Sequence, residues 1–299
     1  MASLTAGEPR RTVGERARSG LLTTVLLLPA GLWYFVLLVA PLAIVVVFSF
    51  GTRARNGGYA PGFVLDNYVR AFQKSEPFVT SLEMAILGTI GCLLVGLPLA
   101  YFMATRAGRR KGLLVLLLVV PFWTSFLIRT YAWLLILGPD AGLAGILQSL
   151  TGADKIQILG TPTAVMVGLV YGYLPLMVFP LYVTLERMDR TLVEASKDLG
   201  AGRWATFRQV TLPIALPGLV TGSILVFIPM MGEYVIPQIL GYGRTYLMGN
   251  ALVTDFLEAR NWPSGSARAV FLILIMLVVV TVYVWFTNRG RTTRDVSVV

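Results

Sequence analysis

"TLVEASKDLGAGRWATFRQVTLPIALPG", residues 191–218, interrupts a chain that is otherwise mostly apolar. Charged and polar side chains recur through it as far as Thr211, and apolar residues take over from Leu212. The surroundings of this stretch decide the fold. Of 299 residues, 56% are hydrophobic and 13% charged, against about 25% charged in a typical soluble domain. The apolar residues fall in six blocks, 21–50, 78–104, 113–137, 164–185, 214–236 and 269–286. Each is near the roughly 20 residues that cross about 30 Å of hydrocarbon. The blocks do not alternate with period two, so helices rather than barrel strands satisfy their backbone groups in lipid. A soluble protein with six such blocks would exceed any ordinary core. The expectation is an all-α integral membrane protein with six transmembrane helices. The first block is too long for a signal-peptide core and should be retained; as ideal helix it would reach about 45 Å, enough to tilt or project.

Lys and Arg set the orientation. The 1–20 tail, the 105–112 loop, the 186–213 loop and the 288–299 tail together carry sixteen, and the opposite face carries eight. Both tails are expected in the cytoplasm, around a membrane domain over 21–287. The same segments hold seven acidic residues, so most of the chain's net charge of +10 is a collar beside anionic headgroups. No folded basic surface for nucleic acid is visible, so that partner is not expected. Cys92 is the single cysteine and histidine is absent. A disulfide framework is therefore excluded, and the commonest general base and metal ligand is missing.

The 186–213 loop thus lies between spans four and five on the cytoplasmic face. Thr191 and Glu194 have capping-box spacing. A short helix is predicted from 192 to about 199, with Gly200 at its left-handed end. A second helix follows, with Trp204, Phe207 and Val210 as its apolar stripe, and Pro213 opens span five. By itself this is equally a solvated, well-capped hairpin. Ala195, Ser196 and Gly200, however, make a small-residue face that another surface could approach closely.

The loop resembles the EAA motif of binding-protein-dependent ABC importer permeases. The pattern is Glu-Ala-Ala, three residues, Gly, nine residues, Ile-x-Leu-Pro, and here stand Glu194, Ala195, Ser196, Gly200, Val210, Leu212 and Pro213. Both spacings are intact, while Ser196 and Val210 depart from the pattern. The resemblance implies a type I importer permease fold whose loop seats on an ATPase subunit. It also implies partners: two ATPase subunits, a second and similar permease, and an extracytoplasmic solute-binding protein. No lysine stands in a Gly-Lys-Ser/Thr setting, since Lys74, Lys111, Lys155 and Lys197 follow Gln, Arg, Asp and Ser. ATP and Mg are therefore expected on separate chains, with no cofactor on this one and no catalytic or metal-binding residue. "VPFWTSFLIRTYAW", 120–133, and 232–267, from "GEYVIPQILG" to "NWPSGSA", resemble permeases of spermidine/putrescine importers in the bacterial inner membrane. Relatives for opines, organic anions and ferric iron share that scaffold. The alternative from another class is a secondary transporter or channel, for which Pro175, Pro180 and Pro229 are candidate helix breaks.

Ionisable residues inside spans are costly and point to function. Arg129, Glu83 and Glu233 are therefore candidates for the translocation path, with Tyr234 and Trp123 as aromatic faces for ammonium groups. Two alternatives remain open: Glu233 could instead pair with Arg129, and Trp123, Tyr131 and Trp133 could be interface-belt aromatics.

Overall fold

The computed structural model describes residues 26–139, 142–151 and 157–292. The basic residues of the 1–20 tail, the start of the first block, Asp154, Lys155 and Arg294 lie outside them. Helix α1 (Leu26–Ser49) leads into a two-stranded antiparallel hairpin, β1 (Thr52–Arg53) with β2 (Tyr59–Ala60). Next come α2 (Asp66–Gln73), α3 (Glu76–Thr105), α4 (Lys111–Trp123), α5 (Phe126–Ile136) and α6 (Leu143–Thr151). The long α7 (Pro162–Glu186) and the short α8 (Arg190–Asp198) precede α9 (Arg203–Met231). The last described elements are α10 (Val235–Leu240), α11 (Met248–Val253) and α12 (Trp262–Thr292).

Five of these helices are long and apolar enough to cross a membrane, and α4 with α5 forms a sixth candidate bent by 98°. Polar contacts at the two ends count the crossings. Lys111 Nζ lies 2.7 Å from Glu186 Oε1, beside the end of α7, and Gly160 N–H donates to the Leu240 carbonyl at α7's other end. The chain from 111 to 160 therefore passes from one end of α7 to the other despite its bend, and the bent pair counts as the sixth crossing among the described residues. At the Leu240 end, Arg53 donates to the Ala259 carbonyl (2.7 Å) and Gly58 N–H to that of Arg260 (2.6 Å). We call this the hairpin end and the other the loop end.

Helices α3, α7 and α9 pack on one another as the core, and α12 runs against α1 and α2. In lipid there is no hydrophobic drive between helices, so close approach of backbones has to hold them. A Cβ on Gly218 would sit 2.5 Å from the Pro180 carbonyl oxygen, and one on Gly222 would sit 3.1 Å from that of Met177. Only glycine permits that α7–α9 seam.

The breaks fall elsewhere than the prolines alone suggest. Pro175 and Pro180 lie inside a continuous α7, and Pro217 and Pro229 inside α9. Discontinuities occur at Thr124–Ser125, where the backbone turns extended, and at Gly232–Tyr234. The blocks 113–137 and 214–236, read as single spans, are thus each divided. Proline inside a membrane helix is tolerated where neighbouring groups and local widening re-satisfy the backbone.

Candidate functional site: the 186–213 loop and the break at Glu233

The loop begins with Asp189, whose carboxylate accepts from Thr191 N–H at 3.0 Å and caps α8. That hydrogen bond holds the Asp189 carboxyl below its ordinary pKa. The cap therefore sits two residues before Thr191: the helix starts at Arg190, and Thr191 contributes its backbone rather than a capping hydroxyl. Aspartate is as good an N-cap as threonine, so the sequence carries the signal at both positions and the folded backbone decides for Asp189. At the far end Gly200 has φ +82°. Its N–H donates to the Lys197 carbonyl (2.8 Å), and Ala201 N–H donates to that of Ser196 (3.1 Å). This is a complete Schellman cap, and it needs the glycine.

Ser196 Oγ meets Thr206 Oγ1 at 3.1 Å, tying α8 to the first turn of α9, where Thr206 is buried. The second loop helix is not a separate element. It begins at Arg203 and runs on as span five, with one wide π-helical stretch, Phe207–Thr211, in which Leu212 N–H reaches back to Phe207. Pro213 has no N–H, and its ring would crowd the carbonyl four residues back in regular helix; the widened turn just before it relieves this. Leu212 and Pro213 are half-buried inside the rod rather than at its start.

Glu194, Ala195 and Gly200 are exposed, and a Cβ on Gly200 would meet nothing within 4 Å. Around them stand exposed apolar side chains that the motif does not include: Leu199 at 88% exposure, Trp204 at 72% and Leu192 at 50%. Trp204 stacks on Phe207 at 5.6 Å. The loop is held to the bundle by the Lys111–Glu186 pair and by Arg190, which donates to the Ala104 carbonyl at 3.3 Å. A rigid, doubly capped helix with apolar side chains outside the membrane region is suited to docking against another protein.

The ionisable residues within the spans have different surroundings. Glu83 is exposed on α3, with the exposed side chains of Val79, Ile86 and Leu87 one turn away. Arg129, on α5 just past the 98° bend, lies over the rings of Phe122 (4.8 Å) and Phe126 (5.7 Å), and its buried Nε has no hydrogen-bond partner among the described residues. Together with Trp133, Tyr171 and Ile236 it lines a small cavity between α5, α7 and α10. Trp123 stands outward at 79% exposure. Glu233 is buried, 7% exposed, and does not pair with Arg129. Its Oε1 accepts from the N–H groups of Tyr234 (3.1 Å), Val235 (2.9 Å) and Ile236 (3.3 Å). Its Oε2 accepts from the Tyr173 hydroxyl. The ion pair considered for Glu233 is thus replaced by a cap on α10 and a bond to α7, because three N–H groups at a helix start already satisfy a carboxylate. Tyr234 is half-buried beside it. Tyr173 carried no signal in the sequence, being one aromatic within an apolar block.

Residues 96–289 match the family described as "Binding-protein-dependent transport system inner membrane component". The chain is 37% identical over 260 residues to the spermidine/putrescine transport system permease protein PotB of Escherichia coli (strain K12), covering 86% of this chain and 94% of that one. It is 38% identical over 267 residues to the PotB of Haemophilus influenzae, covering 87% and 91%. In fold it matches the crystal structure of a bacterial alginate ABC transporter in complex with alginate pentasaccharide-bound periplasmic protein, with TM-score 0.70, 16% identity, and 93% and 98% of the chains covered. A six-crossing bundle with a capped loop between its fourth and fifth crossings, matched across most of its length in these ways, belongs to the family of multi-pass inner membrane components of binding-protein-dependent transport systems.

Proposed function

We propose that this chain is one of a pair of permease subunits forming the path for a polyamine such as spermidine or putrescine. In this reading ATP hydrolysis on two separate ATPase subunits drives uptake from an extracytoplasmic binding protein. The observation that carries the solute class is the likeness to spermidine/putrescine permeases over nearly the whole chain. The docking role falls to the 186–213 loop, with Thr191, Glu194, Ala195, Ser196 and Gly200 on α8 and Leu212 and Pro213 in α9. Its support is the doubly capped α8, the exposed Leu199 and Trp204, and the unbroken α9 that carries the loop into the core. The loop end is then cytoplasmic, in keeping with its excess of Lys and Arg. Along the path, Glu83, Trp123 and Tyr234 offer the carboxylate and aromatic faces that attract ammonium groups. Arg129 lies beside the same route, its charge taken up by two aromatic rings.

The test is uptake by the assembled transporter in proteoliposomes, using labelled polyamines, amino acids and organic anions with ATP inside. Spermidine or putrescine accumulation that requires ATP and the binding protein is expected. Accumulation of another solute class would overturn the polyamine assignment, and accumulation driven by an ion gradient without ATP would overturn the importer reading.

A further inference from the structure

Several buried and part-buried polar contacts converge at the hairpin end of the core, where α9 stops. Glu233 N–H donates to the Met230 carbonyl (3.2 Å), so its backbone belongs to the last turn of α9. Its side chain caps α10 and receives the Tyr173 hydroxyl of α7. The Gly232 carbonyl faces Gly249 of α11 so closely that a Cβ there would lie 2.6 Å from it. Met248 N–H donates to Ser81 Oγ of α3 at 2.7 Å, and Asn250 Nδ2 donates to Gln238 Oε1 of α10 at 3.1 Å. Met230, Met231, Ile236 and Leu240 are buried around this junction. Unsatisfied, these groups would be costly in so apolar a setting; satisfied, they fix one arrangement.

Continuous helix α9 joins this junction to the 186–213 loop over about 44 Å. From the junction α10 reaches α5, the second half of the bent crossing, which carries Arg129 and Phe126. We propose that Tyr173 and Glu233 are a positioning pair that joins α9 to α10 across the break, so that displacement of the loop reaches α5. In this arrangement Glu233 serves the chain rather than the solute, with three backbone N–H groups on Oε1 and the Tyr173 hydroxyl on Oε2. The proposal deepens, and rests on, the importer reading above.

Two measurements on the fully assembled transporter test it. The first is hydrogen exchange of the 234–236 amides. Glu233→Gln keeps an amide oxygen for the same three N–H groups and should keep them slow, whereas Glu233→Leu should speed them by about tenfold or more. Equal exchange in the Leu variant would overturn the proposal. The second is uptake kinetics. Glu233→Gln should leave the KM for the transported cation within about twofold and sustain uptake, and Tyr173→Phe should leave KM alone while lowering the amount carried per ATP hydrolysed. A raised KM or lost cation uptake in Glu233→Gln would place the carboxylate on the cargo and sink the proposal, as would unchanged coupling in Tyr173→Phe. If Glu233→Leu fails to assemble, the Gln and Phe variants still decide. Failure of the importer reading would show in the wild type, which would carry no solute with ATP, while the exchange comparison would still report on the pair.

Discussion

Substitution of Gly200 separates the conformational demand of the loop from its demand for space. Gly200 sits at φ +82° as the left-handed residue of the Schellman cap on α8, and its missing Cβ faces open space within this chain. Gly200→Ala therefore introduces no clash and costs only the left-handed conformation, about 1–2 kcal/mol. A penalty of that size lowers the ratio of capped to uncapped loop by roughly 5- to 30-fold. Gly200→Asn should cost less, because asparagine tolerates this region. Gly200→Trp carries about the same backbone penalty as alanine in the isolated permease, but places an indole on the face that is to meet the ATPase. Insertion and thermal stability of the three variants should then be similar, Asn retaining the most uptake and Ala an intermediate level. Trp should abolish solute-stimulated ATP hydrolysis altogether. The assays are ATPase activity and uptake in proteoliposomes, normalised to the assembled complex. Transport by Gly200→Trp at the level of Gly200→Ala would refute the reasoning, since steric exclusion would then add nothing to the conformational cost.

Gly218→Ala forces a methyl against the Pro180 carbonyl oxygen and should destabilise the α7–α9 seam by about 1–3 kcal/mol, read as a lower midpoint of thermal unfolding in detergent. The Asp189 cap should depend on pH. Its carboxyl pKa is lowered by the bond from Thr191 N–H, so the stabilisation is complete above the ordinary aspartate pKa and is lost as pH falls through the lowered value. Protection of the first α8 amides, taken relative to intrinsic exchange at each pH, should fall only in that acidic range, and Asp189→Asn, an uncharged cap, should remove that fall. For the crossings, reporter fusions after Arg110 and after Arg208 should read the same side of the membrane and one near Asn261 the other; Arg110 and Asn261 reading alike would break the count of six.

Membership of the class was legible in composition alone, because hydrocarbon demands long apolar helices whatever their packing partners. The loop was legible for a similar reason. The left-handed cap at Gly200 is a local demand of a helix end, and a glycine at that spacing announces it. Local chemistry also allowed an error there, since Asp189 and Thr191 both suit an N-cap and only the folded backbone shows which carboxylate or hydroxyl is used. Hydropathy could not divide the 113–137 block, because the two hydroxyl residues at the 98° bend, Thr124 and Ser125, are too few to interrupt an apolar window. Neither could it tell a proline that helix tolerates, such as Pro180, from one that precedes a break, such as Pro229. The neighbours that re-satisfy a freed carbonyl lie far away in sequence. The carboxylate of Glu233 makes the same point most sharply. Its cost in an apolar block was readable from the sequence, but its partners were three N–H groups that exist only once α10 has formed and a hydroxyl sixty residues earlier on α7. A helix cap declares itself within one turn of chain, whereas a buried charge is satisfied by whatever the tertiary packing brings within about 3 Å.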